Sequence, residues 1–373
     1  MGILIYPFSN QSIDKFKYSS ILRYSLSILW ISIMLKKIGF ACKYVEVNKK
    51  GLIESVEGLN TGSTTITYLN KVGKNVAERK MWDIMEKNIK HTHNLIMRVA
   101  KLPPELRMVR LTSDMMNAYT HKDWAYFYRL PDVVNRMEQL FAPIGETARK
   151  HGVRLSFHPG QFTVLASETD QIVENSIREF EYHVDMARMM GYGKQFQDLK
   201  INVHISGRRG PQGIIDVLPR LSPEARNMIT IENDEMTWGL DASLELADHV
   251  ALVLDIHHHW VNTGEYIEAT DDRIKRVIDS WRGVTPVIHY SVSREDYLVD
   301  HCKNTMPDLK TLIESGYKKQ YLRAHSDYYW NKQVNDWAMS HTEWAHMMCE
   351  SKAKNLASFA LYDTYINKEK TNV

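Results

Sequence analysis

Histidines and carboxylates recur in this 373-residue chain at one kind of place, the end of a short apolar run. Asp114 closes "RMVRLTSD" (107–114), His158 follows "RLSF", and His204 lies in "KINVHISG" (200–207). Glu232 ends "ITIE", His289 lies in "TPVIHYS" (285–291), and Asp255 ends "VALVLD" just before His257, His258 and His259. Farther on, His325 and Glu350 fall in two more candidate runs. A lone histidine at a strand end is usually a satisfied core or loop residue, but five or more on one rim point to metal. Imidazole and carboxylate without thiolate suit zinc, manganese or iron. Glu232 and Asp255 are each able to bridge two ions, so the set implies a cluster of two or three. Such a cluster suits phosphodiester hydrolysis: one ion lowers the pKa of a water, and others stabilise the developing charge and the leaving oxygen.

These residues need a scaffold that brings strand ends together. From Ile38 onward, apolar runs alternate with helix-like stretches near 75–100, 131–151, 170–191, 213–227, 241–249 and 271–281. Nearly continuous Val/Ile/Leu runs separated by helices indicate a parallel sheet buried on both faces. Seven or eight such units over about 320 residues predict an α/β fold, a (β/α)8 TIM barrel whose site lies at the C-terminal strand ends. The eighth strand is open on pattern alone, since "YLRAHSDYY" (321–329) and "EWAHMMCES" (343–351) both qualify. No linker-like segment follows residue 60, so 34–373 reads as one domain. Residues 1–33 read as an N-terminal extension; a weak membrane or partner-binding helix is the alternative, because 18–35 is interrupted by Arg23 and several serines.

A net charge of +2 requires any nucleic-acid affinity to come from a local patch. Three dispersed cysteines without a CxxC pair argue against a disulfide scaffold and fit a reducing, intracellular compartment. No obligate protein partner and no membrane association are evident, and a monomer is expected.

"FHPGQF" (157–162), "VHISG" (203–207), "IENDE" (231–235), "LDIHH" (254–258), "IHYS" (288–291) and "ESKAKNLA" (350–357) resemble the UV damage endonuclease family, in family order. "GFAC" (39–42) and "NTGSTT" (60–65) are similar to its opening strand and the following loop, so the likeness runs from about Ile38 to Ala357. That family is related to the endonuclease-IV type apurinic endonucleases and shares their barrel and metal cluster. The resemblance implies that His158 and His204 hold one metal, with Glu232 bridging to a second completed by Asp255, His289 and Glu350. It gives a third to His258 and His325 and puts Asp114 near the cluster. It further implies incision of damaged duplex DNA immediately 5′ of a UV photoproduct or abasic site, with manganese favoured and zinc a possible substitute. Gln161 and Phe162 would wedge into the duplex at the lesion, where damaged pairs cost less to open.

The resemblance has departures. Relatives often carry a modified lysine two positions before the strand-seven histidine, where this chain has Val287, and the stretch 306–316 reads as an additional helix. Phosphate contacts are expected from Arg208 and Arg209, Lys352, and Arg110. In the triple histidine, strand alternation would pair Asp255 with His257. The family register selects His258, which requires the chain to leave strand geometry and enter a loop after Asp255, with His257 as support and His259 outside the site. The competing readings are a sugar isomerase or epimerase on the same barrel and a binding module without turnover.

Overall fold

The computed structural model describes residues 35–368, so the proposed extension at 1–33 lies outside the described residues. Eight short parallel strands build the sheet: β1 (Ile38–Ala41), β2 (Met108–Arg110), β3 (Arg154–Phe157), β4 (Lys200–His204), β5 (Ile229–Glu232), β6 (Ala251–Val253), β7 (Val287–Tyr290) and β8 (His346–Cys349). They are hydrogen-bonded in the order β6-β5-β4-β3-β2-β1-β8-β7. The two ends meet just beyond β6, where Asp255 and His289 form a parallel bridge and the His289 N–H donates to Leu254 O at 3.0 Å. The result is the expected (β/α)8 barrel, closed at two of the residues that the sequence marks as ligands. Among the described residues no helix is long and apolar enough to cross a membrane.

β8 comes from "EWAHMMCES", pairing in parallel with β1 and β7. The competing stretch holds a one-turn helix, Lys319–Leu322, and then an antiparallel bridge from His325 to Ser293. Long amphipathic helices occupy Lys74–Val99, Pro131–His151 and Asp170–Met189, as their periodicity predicts. The weaker helix expected near 213–227 is two pieces, Gly210–Val217 and Pro223–Met228. Pro219 and Pro223 interrupt it, and the Ser222 hydroxyl accepts from Ala225 N–H to restart the second piece. The additional helix in 306–316 is Leu309–Glu314, capped by the Asp308 carboxylate.

Alternate residues of each strand point into the barrel. At its N-terminal end Met108, Ala251, Val253, Val287 and Met348 pack with Trp281 as an apolar floor, each large member worth roughly 1.5–3 kcal/mol by burial. Above it the inward row turns polar, with Arg110, Ser156, Lys200, Asn202 and Thr230. Arg154 lies over Trp281 and contacts His346 at this end, and the opposite strand ends form the face where the candidate ligands gather.

Outside the barrel, the helices Pro131–His151 and Asp170–Met189 approach so closely at Gly145 that an added Cβ would lie 1.8 Å from Met190 O. Helix propensity alone favours alanine over glycine by about 1 kcal/mol. Overpacking against a backbone carbonyl outweighs that, so Gly145→Ala is expected to destabilise the protein by about 1–3 kcal/mol in urea denaturation. An unchanged or raised midpoint would contradict this packing.

Candidate metal centre

Glu232, at the C-terminal end of β5, is fully buried. Its Oε2 lies 3.2 Å from His158 Nε2, and its Oε1 lies 3.0 Å from His289 Nδ1 and 3.6 Å from His258 Nδ1. Asn202 Nδ2 donates to Oε2, and the Thr230 hydroxyl donates to Asn202 Oδ1 at 2.7 Å, fixing the amide. One carboxylate therefore touches rings delivered by β3, β7 and the segment after β6. Glu350, just beyond β8, lies 3.2 Å from His289 Nδ1 and is ion-paired with Arg110. The His204 ring lies 4.9 Å from that of His158 and 5.4 Å from that of His258, tilted against both.

Asp255 shows why the triple histidine sorts as it does. The chain leaves β6 and enters an α-helix, Ile256–Thr263, rather than the loop expected. Asp255 is its N-cap: Oδ1 accepts from the backbone N–H groups of His257 and His258, both at 2.8 Å. Successive helical residues diverge by about 100°, so the three rings take three directions. His258 points to Glu232, and its Nε2 is 3.6 Å from Asp255 Oδ2. His257 turns to the hydroxyls of Ser291 (2.7 Å) and Ser293 (3.2 Å) and stacks on Trp260. His259 pairs outward with Glu265 at 2.8 Å.

Three sets of side chains have ligand atoms close enough to share an ion: His158, Glu232 and His289; His204, Glu232 and His258; and Asp255, His289 and Glu350. Glu232 belongs to two sets, as a bridging ligand must, and the third is the one the resemblance implies. The others are partitioned differently from that expectation. His158 and His204 fall in separate sets, and His258 groups with His204 instead of His325. His325 is 30% exposed, and its Nδ1 is 3.9 Å from Glu350 Oε2, outside all three. Asp114 is exposed and also outside them, because β2 stops at Arg110 and the Thr112 side chain caps a tight turn over Ser113–Met115.

The donors fit divalent cations. Asp255 Oδ2 and His204 Nδ1 are buried with no hydrogen-bond partner among the described residues; such orphans cost about 1–3 kcal/mol each unless something else satisfies them. Electrostatics agrees. Burial would raise Glu232, but His289, His204 and His158 hold it well below the carboxylate range. Burial likewise opposes ionisation of Glu350, and Arg110 and His289 overcome it. Asp255 goes the other way, pushed well up by burial and by the Glu232 and Glu350 charges against the pull of His258. Burial drives His158 down to about 3 despite Glu232, whereas Asp255, Glu232 and Glu235 lift His258 to about 9 against burial. Metal binding would displace the protons on His258 and Asp255.

The DNA candidates divide by exposure. Phe162 is 85% exposed, at the tip of the turn after His158, on the wall of a cleft of about 810 Å³. Gln161 lines a cavity of about 180 Å³ with His204, Glu235 and Arg323. Lys352 and Arg208 are exposed, Arg208 lying 3.4 Å from Glu168, while Arg209 is paired with Asp216. Arg110 is not on the rim: its guanidinium is buried in an ion pair with Glu350 and fixes that carboxylate.

Four residues around the ligands escaped the sequence reading. Asn202 holds Glu232, and Lys200 places Nζ 2.8 Å from His289 Nε2, with burial driving its amine down to about 7. Glu235 Oε2 is 3.9 Å from His258 Nε2, and Arg323 grips Glu235 Oε1 at 2.9 Å. The signal for the first two was present: in "KINVH", Lys200, Asn202 and His204 share one face, so the ligand's row extends inward.

Two further buried histidines serve the fold. His183 contacts Ser113 Oγ and Glu179 O, His341 contacts Ile267 O, and burial lowers each to about 4. Both are neutral in the folded protein and take up protons near 6.5 when unfolded. Their contribution is therefore intact above pH 6.5 and lost as pH falls toward 4. A His183→Gln/His341→Gln double variant should show a shallower loss of urea midpoint across that window than wild type; equal slopes would refute the assignment. Alanine at 258 should lower manganese uptake by metal analysis, whereas alanine at 257 should mainly lower the melting temperature; equal metal loss would reject the sorting of the two rings.

Comparison with known proteins bears on the same residues. The model of the family described as UV-endonuclease UvdE matches residues 36–373. The UV DNA damage endonuclease of Bacillus cereus is 25% identical over 311 residues, covering 80% of this chain and 87% of that protein. That of Bacillus anthracis is 24% identical over 305 residues, covering 79% and 85%. The crystal structure of SacUVDE superposes with a TM-score of 0.65 at 20% identity, over 91% of this chain and 100% of that one, and shares the fold.

Proposed function

The chain belongs to the UV-endonuclease UvdE family, and from that premise we propose that it is a metal-dependent DNA repair endonuclease. It hydrolyses the phosphodiester immediately 5′ of a UV photoproduct or other lesion, abasic sites included, in duplex DNA. The observation that carries this reading is Glu232: one buried carboxylate shared by two ligand sets, with a third set meeting it at His289. A sugar isomerase barrel has no need of so many converging imidazoles.

In this reading His158, His204, Glu232, Asp255, His258, His289 and Glu350 hold two or three divalent ions, manganese favoured over zinc, with His325 an outer ligand. When bound, such ions supply a nucleophilic hydroxide near neutral pH and stabilise charge on the phosphate oxygens. The chain's own residues do the rest. Asn202 and Arg110 fix the two glutamates, so ligand geometry is set before substrate arrives. Phe162, exposed at its loop tip, replaces stacking lost at a damaged pair, and Gln161 beside it offers an amide to exposed base edges. Lys352, Arg208 and Arg209 sit on the open face as phosphate contacts, which predicts weaker binding as salt rises.

The test is nicking of a UV-irradiated, end-labelled duplex with manganese. Wild type should cut 5′ of the photoproduct, and Glu232→Ala should fall to background while retaining its fold by circular dichroism. Equal incision by both proteins would reject the mechanism.

A further inference from the structure

Lys200 opens the inward row of β4 and is only 2% exposed. A lysine is almost never buried so completely without a partner. Its hydrogen bond runs to an imidazole: Nζ is 2.8 Å from Nε2 of His289, which belongs to β7, three strands away around the barrel. The other nitrogen of that ring, Nδ1, faces Glu232 Oε1 at 3.0 Å and Glu350 Oε1 at 3.2 Å. The ring is thus held at both edges. β7 has nothing polar to offer beneath it, because Val287, the preceding inward residue, belongs to the apolar floor with Met108, Val253 and Met348. Thr230 on β5 is already engaged with Asn202. Support for His289 therefore comes from across the barrel.

We propose that Lys200 is a positioning residue of the metal centre, holding His289 through Nε2 so that Nδ1 stays aimed at the ions shared with Glu232 and Glu350. With an ion on Nδ1 the ring proton sits on Nε2, which donates it to the lone pair of the uncharged Lys200 amine. Metal-bound histidines regularly anchor their second nitrogen in this way, and loss of such an anchor lowers metal affinity by about 10- to 100-fold. The inference rests on the metal-centre reading above, and the two fail separately in one experiment.

Metal-stripped wild type, Lys200→Met and Lys200→Gln are titrated with Mn²⁺ alone by calorimetry, melted without metal, and assayed for nicking. Met fills the space of the lysine stem without its amine, whereas the Gln amide still offers Nε2 a hydrogen-bond partner. The expected result is Mn²⁺ affinity about 10- to 100-fold lower in Lys200→Met and partly recovered in Lys200→Gln. The metal-free melting temperature of Lys200→Met should be equal to or above wild type, since a buried amine has been removed. In nicking, kcat should fall with little change in KM for DNA. Wild-type affinity in Lys200→Met overturns the inference alone. So does an affinity loss that tracks a lowered melting temperature and is not recovered by Gln, which would make Lys200 a packing residue. A wild type that takes up no Mn²⁺ overturns this inference and the metal-centre reading together.

Discussion

A carboxylate buried in a barrel stays ionised only where positive or hydrogen-bonding partners outweigh the loss of water. Glu232 meets that condition by drawing on the rest of the sheet: His158 from β3, Asn202 from β4, His258 from beyond β6 and His289 from β7. Its ionisation and the relative placement of those strands are therefore one requirement. Removing any one partner would loosen a strand end and leave an anion less compensated. Protein partners still leave Asp255 Oδ2 and His204 Nδ1 without hydrogen bonds, and a divalent ion among the three ligand sets would complete the balance.

Barrel closure depends on the same place. β6 and β7 are joined at Asp255 and His289, and the chain changes there from strand to helix. Asp255 divides its two oxygens between these tasks, one terminating backbone donors at the helix start and the other facing the ligands. The first helical turn then separates consecutive histidines that a strand would have set on opposite faces. A longer β6 would have sent His257 inward with Asp255 and left His258 outside, so which ring joins the candidate ligand sets is selected by where the strand stops.

Much of this was legible in the sequence. Alternating apolar runs and helices gave the barrel, and the residue ending each run gave His158, Glu232, Asp255, His289 and Glu350. His258 came from resemblance; the structure groups that ring with Glu232 and His204 but sets it on a helix in place of the expected loop, because a capping aspartate immediately after a strand reads equally as a turn. Asp114 lies outside the ligand sets because the chain turns at Thr112, which caps Ser113–Met115, and an apolar run that continues through Leu111 does not show that turn. Arg110 looked like a rim cation because a charge near a strand end resembles a phosphate contact; only the facing strand reveals Glu350. The partition of His158, His204, His258 and His325 among ligand sets depends on distances across the barrel, which no one-dimensional pattern encodes.

The interior is graded along the barrel axis, and the grading accounts for the rigidity of the upper layer. The floor is apolar and closed by Trp281. The layer above is polar, and its members reach other strands: Asn202 to Glu232, Arg110 to Glu350, Lys200 to His289. A ligand fixed only by its own rotamer could swing when the charge above it changes; one tied to a different strand moves only if the barrel deforms. A closed sheet resists that deformation because it has no free edge to slide. Long-range ties of this kind also explain why the polar middle layer is not replaced by close-packed aliphatics, which would fill the space and leave the ligands unaimed.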